Sequence, residues 1–172
     1  MVYDSGMDVT EALLDSWDRQ CRIVDAVMSR IDEKNKHFKP SDDGWSLDKQ
    51  LAHMHNTRKW FLKNVAPEIG TPLGRSYIDD EGTPVQNLDE LKDMVRASGV
   101  AVRNATDMLI KKGMVQAGFY DNPVLFLQHM VWHEGWHVGL IFLALRLNGQ
   151  EPPEEWEDEK VWGEWRTEVW EG

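Results

Sequence analysis

A single cysteine, Cys21, is present in 172 residues, so no internal disulfide can form and the fold must rest on its hydrophobic core. Positive charge is also scarce. Nineteen Lys and Arg stand against 30 Asp and Glu, a net charge of -11. Binding a polyanion needs clustered Lys and Arg, and no such stripe occurs, which argues against nucleic acid as a partner. Long apolar runs are missing as well: the longest is broken by His137 and Gly139 and falls short of the roughly 20 residues that a membrane-spanning helix needs. No basic segment leads into an apolar stretch at the N-terminus. These absences predict a soluble, cytoplasmic protein. The sequence also lacks a strand-like alternation, internal repeats and low-complexity segments. Its length suits one domain, 1–172, with a core of about 8–149 and an acidic, Trp-rich tail over 150–172.

What is present is helical periodicity. From Asp8 to about Lys34, Leu13, Trp17, Cys21, Val24, Met28 and Ile31 recur at steps of three and four, and Asp8 with Glu11 forms a capping pair. Breakers in 35–44, including Pro40 and Gly44, separate this segment from a second helix that opens near Ser46 and runs to about Val65. Its seam is Leu47, Leu51, Met54, Phe61 and Val65, with Arg58 as a polar exception in the same register. Pro67, Gly70, Pro72, Gly74, Gly82 and Pro84 make 66–86 the longest loop, too broken for regular structure and placed to shape the mouth of a site. A third helix follows an Asn87/Glu90 cap, with the seam Leu91, Val95, Val102, Ala105 and Leu109, and ends before Gly113. A fourth starts at Asn122 and Pro123 and stops at Asn148 and Gly149. In the tail, Trp162, Trp165 and Val169 share a helical face, which predicts a short accessory helix. The expected fold is all-α, a four-helix bundle with a long second connection.

The fourth helix carries the most informative residues. His129, His133 and His137 follow one another at steps of four and line one side with a drift of about 40° per step. Two imidazoles four apart can grip one metal ion, but a useful site needs a third ligand from a facing helix. His53 and His55 on the second helix are both candidates. They lie on opposite margins of its apolar seam, so helix geometry does not choose between them.

Two stretches carry a family resemblance. Trp45-Ser46-Leu47 with His53 eight residues after the tryptophan, and His133-Glu-Gly-Trp-His137-Val-Gly-Leu-Ile continuing to Leu145-Arg146-Leu147-Asn148-Gly149 and Pro152-Pro153, resemble the DinB/YfiT-like superfamily of metalloenzymes. The resemblance implies a four-helix bundle whose metal, usually zinc or nickel, is held by one histidine of the second helix and an i, i+4 pair of the last. Carried over, the ligands are His53, His133 and His137. Where relatives often read His-His-Arg-Gly-Gln-Ile, this chain has Trp136, His137, Val138, Gly139, Leu140 and Ile141, so any role of those polar residues is lost. His129 is left as a supporting partner or an alternative ligand, His55 as a surface or rim residue, and His37 without a partner. Glu134, the nearest carboxylate in sequence, projects about 100° from His133 and is placed on a neighbouring face. Cys21 sits in an apolar seam and is expected to pack as a small hydrophobe.

Three neutral imidazoles leave a divalent ion its full charge and an open position, the arrangement of a catalytic site. Water and thiol are both suited to it. Characterised members of the superfamily include S-transferases and isomerases that use low-molecular-weight thiols such as bacillithiol or mycothiol. The resemblance therefore implies thiol transfer to a small-molecule substrate, with metal-dependent hydrolysis or a non-catalytic metal- or ligand-binding bundle as alternatives. It also implies homodimerisation.

Overall fold

A computed structural model describes residues 8–166. α1 spans Val9–Ser29, α2 Leu47–Val65, α3 Pro67–Gly70, α4 Leu88–Lys111, α5 Pro123–Leu147 and α6 Glu154–Lys160, followed by a 3-10 turn at Trp162–Glu164. The fold is all-α: α1, α2, α4 and α5 form the bundle, and the described residues contain two isolated β-bridges and no strand. None of the helices is long and apolar enough to cross a membrane.

The helix starts follow the capping chemistry. The Asp8 carboxylate accepts from the Thr10 and Glu11 amides, the Asn87 side chain from Asp89 and Glu90, and Asn122 from Leu125 ahead of Pro123 at the first helical turn. α1 ends earlier than its periodicity, at Ser29. Beyond it Asp32 and Asn35 trade side-chain bonds with each other's backbone amides, and Asn35 Nδ2 donates to the Arg30 carbonyl at 2.9 Å, offering the chain a turn in place of another helical turn. Ile31 stays buried despite lying outside the helix.

Contacts between helices fix their directions. Lys92 Nζ meets the Ile31 carbonyl while Arg103 meets Asp18, so α1 and α4 are antiparallel. His55 reaches Met94 and Arg58 reaches Ser98, so α2 and α4 run parallel. Arg58 meets Glu134, and Phe61, one turn on, meets His129, so α2 and α5 are antiparallel. The course is up, down, down, up, and the parallel α2–α4 step needs the long connection that the breakers at 66–86 supply. That connection holds the one-turn helix α3, a correction to its reading as wholly irregular: Pro67 pre-sets the first φ, and Ala66, at the N-cap, is itself buried. Ser76 Oγ donates to the Ala52 carbonyl at 2.7 Å, and the loop passes over the side of α2 that faces α4.

The core divides into a layer around Leu47, Leu51, Met54, Leu91 and Ile141 and a layer around Trp17, Leu62, Val102, Leu109 and Phe126. The tail also departs from expectation. Its regular helix is Glu154–Lys160, with Trp156 packed edge-on against Phe142 and under the Arg30 guanidinium, whereas Trp162 and Trp165 flank the 3-10 turn and are exposed. Val169 lies outside the described residues.

Trp17 is fully buried and its indole N–H donates to the Gly99 carbonyl at 2.8 Å. Trp17→Phe removes that bond while the Gly99 carbonyl keeps its place in the α4 helical ladder, and is expected to cost about 1 kcal/mol for the bond, read as a shifted urea midpoint with an unchanged slope.

Candidate metal centre

His133 and His137, one turn apart on α5, lean the same way and meet His53 of the antiparallel α2. The ring centroids are 4.5 Å apart for His133–His137, 4.9 Å for His53–His137 and 5.2 Å for His53–His133. One nitrogen from each ring lies within 4.8 Å of the other two, so the three form a group that could hold a metal ion. Trp45 closes one side, stacked parallel to His137 and edge-on to His53 at 4.8 Å. The tip of the long loop approaches this side through Lys49, whose ammonium lies 5.9 Å from the Trp45 ring centre.

Each α5 imidazole is held at Nδ1. Gln50 Oε1 contacts His137 Nδ1, and Glu134 Oε1 lies 3.5 Å from His133 Nδ1. Because both partners are acceptors, the ring proton belongs at Nδ1, leaving the Nε2 lone pair for a metal; this is how metal-bound histidines are commonly oriented. His133 Nε2 is buried and has no hydrogen-bond partner, which costs free energy unless something coordinates it. The donor set suits a divalent transition ion: three imidazoles with no carboxylate among them. On these observations the residues fit the group.

Electrostatics favour neutral imidazoles. Burial, reinforced by the neighbouring His133, lowers His53 to about 4 and, with His53 added, His137 to about 3. Protons therefore compete weakly for these nitrogens at neutral pH.

Behind the histidines lies the only charged pair buried this deeply among the described residues. Arg58 and Glu134 are both essentially inaccessible, and Arg58 grips the carboxylate with two bonds, Nε to Oε1 at 3.0 Å and Nη2 to Oε2 at 2.7 Å. Its remaining nitrogen donates to the Val95 carbonyl at 2.6 Å and faces Ser98 Oγ at 3.3 Å, and its plane lies over the Trp17 ring. The guanidinium holds the Glu134 carboxyl below its ordinary value even though burial, the larger influence, acts to raise it. Glu134 thus occupies the core and not a neighbouring face, and with both oxygens on Arg58 it is a structural anion and no free base. Arg58, the exception in the α2 seam, is the partner that makes this carboxylate tolerable.

The other three histidines are elsewhere, and His37 is exposed in the first connection with its ring edge-on to Phe38. His55 is buried, a correction to its reading as a rim residue: it points towards α4 and the long loop, with Nδ1 2.8 Å from the Met94 carbonyl and Nε2 3.1 Å from that of Gly74. Two residues along a helix turn the side chain by about 200°, so His53 and His55 face different neighbours. His129 binds the Tyr120 hydroxyl at 2.8 Å and packs against the edge of Phe61, outside the three-histidine group. Cys21 rests against α4 near Gly99, and burial pushes its thiol up to about 11. Gln50 and Thr57, whose hydroxyl is 3.2 Å from His53 Nε2, were not singled out from sequence; polar residues a turn from a ligand carry no distinct signature.

A family model described as the DinB family matches residues 7–167. The chain belongs to the DinB family. No curated protein and no solved structure matches it. Membership accords with the helix order and with a histidine group drawn from α2 and α5 of this DinB-family bundle.

Two outcomes follow. Arg58→Ala strands a buried carboxylate and is expected to cost about 3–5 kcal/mol in denaturant unfolding, while Arg58→Met with Glu134→Leu removes both charges and recovers much of the loss. The histidines predict a pH dependence for metal-free protein. Below about 6.5 the unfolded chain takes up protons that the folded chain, with His53 near 4 and His137 near 3, refuses. Stability of the chelator-treated protein should fall as pH drops from 6.5 to 4, a trend that His53→Gln/His137→Gln flattens in thermal unfolding scans.

Proposed function

We propose that this protein is a metal-dependent enzyme that holds one divalent ion, zinc or nickel, through His53, His133 and His137 and transfers a low-molecular-weight thiol to a small-molecule substrate. The observation that carries the reading is the group itself: three mutually close imidazoles, two of them oriented through Nδ1, with a buried unpartnered Nε2 among them. An ion held by neutral ligands alone keeps its double charge and supplies enough Lewis acidity to deprotonate a thiol at neutral pH.

The chain's own residues do the rest. Gln50 and Glu134 fix the imidazole tautomers, and the Arg58 pair keeps Glu134 from drifting or protonating. Trp45 shields one side of the group and gives a substrate an apolar wall. Lys49 beside Trp45 places a cation at the rim of an otherwise acidic chain, suited to an anionic group on an incoming substrate. The protein's own thiol does not compete: Cys21 lies against α4, and its thiol stays protonated at neutral pH.

Purified protein is expected to take up about one divalent ion per chain, and His137→Ala to lose it while remaining helical. In the cobalt-substituted protein, adding a small thiol should produce a sulfur-to-cobalt charge-transfer band in the near ultraviolet. A spectrum indifferent to thiols, with turnover of ester or amide substrates, would replace transfer with hydrolysis; a saturated coordination sphere and no turnover would leave a binding module.

A further inference from the structure

Two ion pairs bridge α1 to α4, Arg96 to Asp25 at 2.7 Å and Arg103 to Asp18 at 2.9 Å. Midway between them stand Cys21 on α1 and Gly99 on α4, side chains too small to fill the space that the pairs span. A cavity of about 220 Å³ is left there, opening to solvent beside the exposed Arg22 and Val100. Its walls are apolar, Val24 and Met28 from α1 and Val95 and Val100 from α4, and the Arg58 guanidinium lines it from α2. Protein interiors are ordinarily packed with few spaces larger than a water molecule, because an unfilled wall loses its dispersion contacts. An apolar occupant of the right size would restore them.

We infer that this cavity is a binding site for a small, neutral, single-ring aromatic molecule, entered between α1 and α4 and so apart from the histidine group held by α2 and α5. Size, charge and the guanidinium choose the ligand. An engineered cavity of about 150 Å³ takes up benzene, and drug-sized ligands occupy roughly 300–1,000 Å³, so this space admits one substituted ring and little more. Charge is excluded next. Asp18 and Asp25 at the rim are engaged by the pairs above, Arg22 by Glu164, and Arg58 by Glu134. An anion entering here would shed water and find no free cation. Cys21 reports the same environment: burial, the largest influence, pushes its thiol up to about 11 against the opposing pull of Arg58. Aromatic character follows from Arg58 itself, whose guanidinium lies over the Trp17 ring, 5.3 Å from its centroid. A ring in the cavity would give this buried cation a second π partner, which a saturated molecule cannot. Arg58 also holds Glu134, which faces His133 Nδ1, so the occupant would touch the network behind the metal group.

The test uses the full chain after chelator treatment, so that its outcome does not depend on metal, with methionine methyl resonances as the readout and phenol as the probe. Met28 is buried and lines the cavity, whereas Met54 and Met130 are buried elsewhere in the core. The Met28 methyl should shift saturably with a Kd below about 1 mM for phenol, and those of Met54 and Met130 should stay in place. Benzoate, a ring of the same size carrying a negative charge, should bind at least about 10-fold more weakly, and cyclohexanol, neutral but saturated, at least about 3-fold more weakly. Cys21→Leu and, independently, Val24→Phe fill the space and should weaken phenol binding at least about 10-fold while helicity is retained. A Met28 methyl that phenol leaves unmoved overturns the site, and so does binding that survives both substitutions. Benzoate or cyclohexanol binding as tightly as phenol overturns the class of ligand.

Discussion

The Arg58–Glu134 pair is the interaction on which the rest of the structure depends. It ties α2 to α5 across the bundle, reaches α4 through Val95 and Ser98, and lies over Trp17 of α1, so one guanidinium touches all four bundle helices. Two charges at such depth are expensive, and an apolar pair of the same volume would serve stability at least as well. What an apolar pair could not supply is an acceptor at His133 Nδ1. Glu134 meets that need only if it is ionised and immobile, and the bidentate grip of Arg58 secures both. The histidine group thus rests on a polar network that continues into the core.

The same logic explains why the group leans to one side of α2. His53 and His55 are two residues apart and point to different partners, one to α5 and one to the carbonyls of Met94 and Gly74. His55 works as a structural clamp between α2, α4 and the long connection; burial holds its pKa below the ordinary value although both carbonyls pull it upward. His53 stands among imidazoles, where burial and the neighbouring His133 outweigh the pull of the Glu134 carboxylate towards a protonated ring. A site ready for a cation and a latch made of backbone acceptors are thus built from one residue type by turning a helix through about 200°.

Much of this was legible in the sequence. The caps at Asp8, Asn87 and Asn122 and the apolar seams located the four bundle helices, because those signals are local. The i, i+4 pair His133/His137 followed from helix periodicity, but the choice of His53 over His55 required the family resemblance, since both flank the seam symmetrically. Burial of His55 was hidden because its acceptors are carbonyls 19 and 39 residues away. Glu134 was misplaced for a related reason: an angle measured from His133 says nothing about what fills the core on that side, and the available clue was a lone arginine in one apolar seam matched by a lone glutamate in an apolar helix. Tail tryptophans at helical spacing predicted a helix where the chain forms a 3-10 turn instead, next to a short helix rich in glutamate.

The central claim is that three particular imidazoles out of six share one metal ion. Imidazole nitrogen resonances, recorded while a divalent ion is titrated into chelator-treated protein, test this most directly. The account predicts saturation at one equivalent, with the ring nitrogens of His53, His133 and His137 shifting together and those of His37, His55 and His129 unmoved. Movement of His129 or His55 with the pair on α5, or no saturable change at His53, would contradict it.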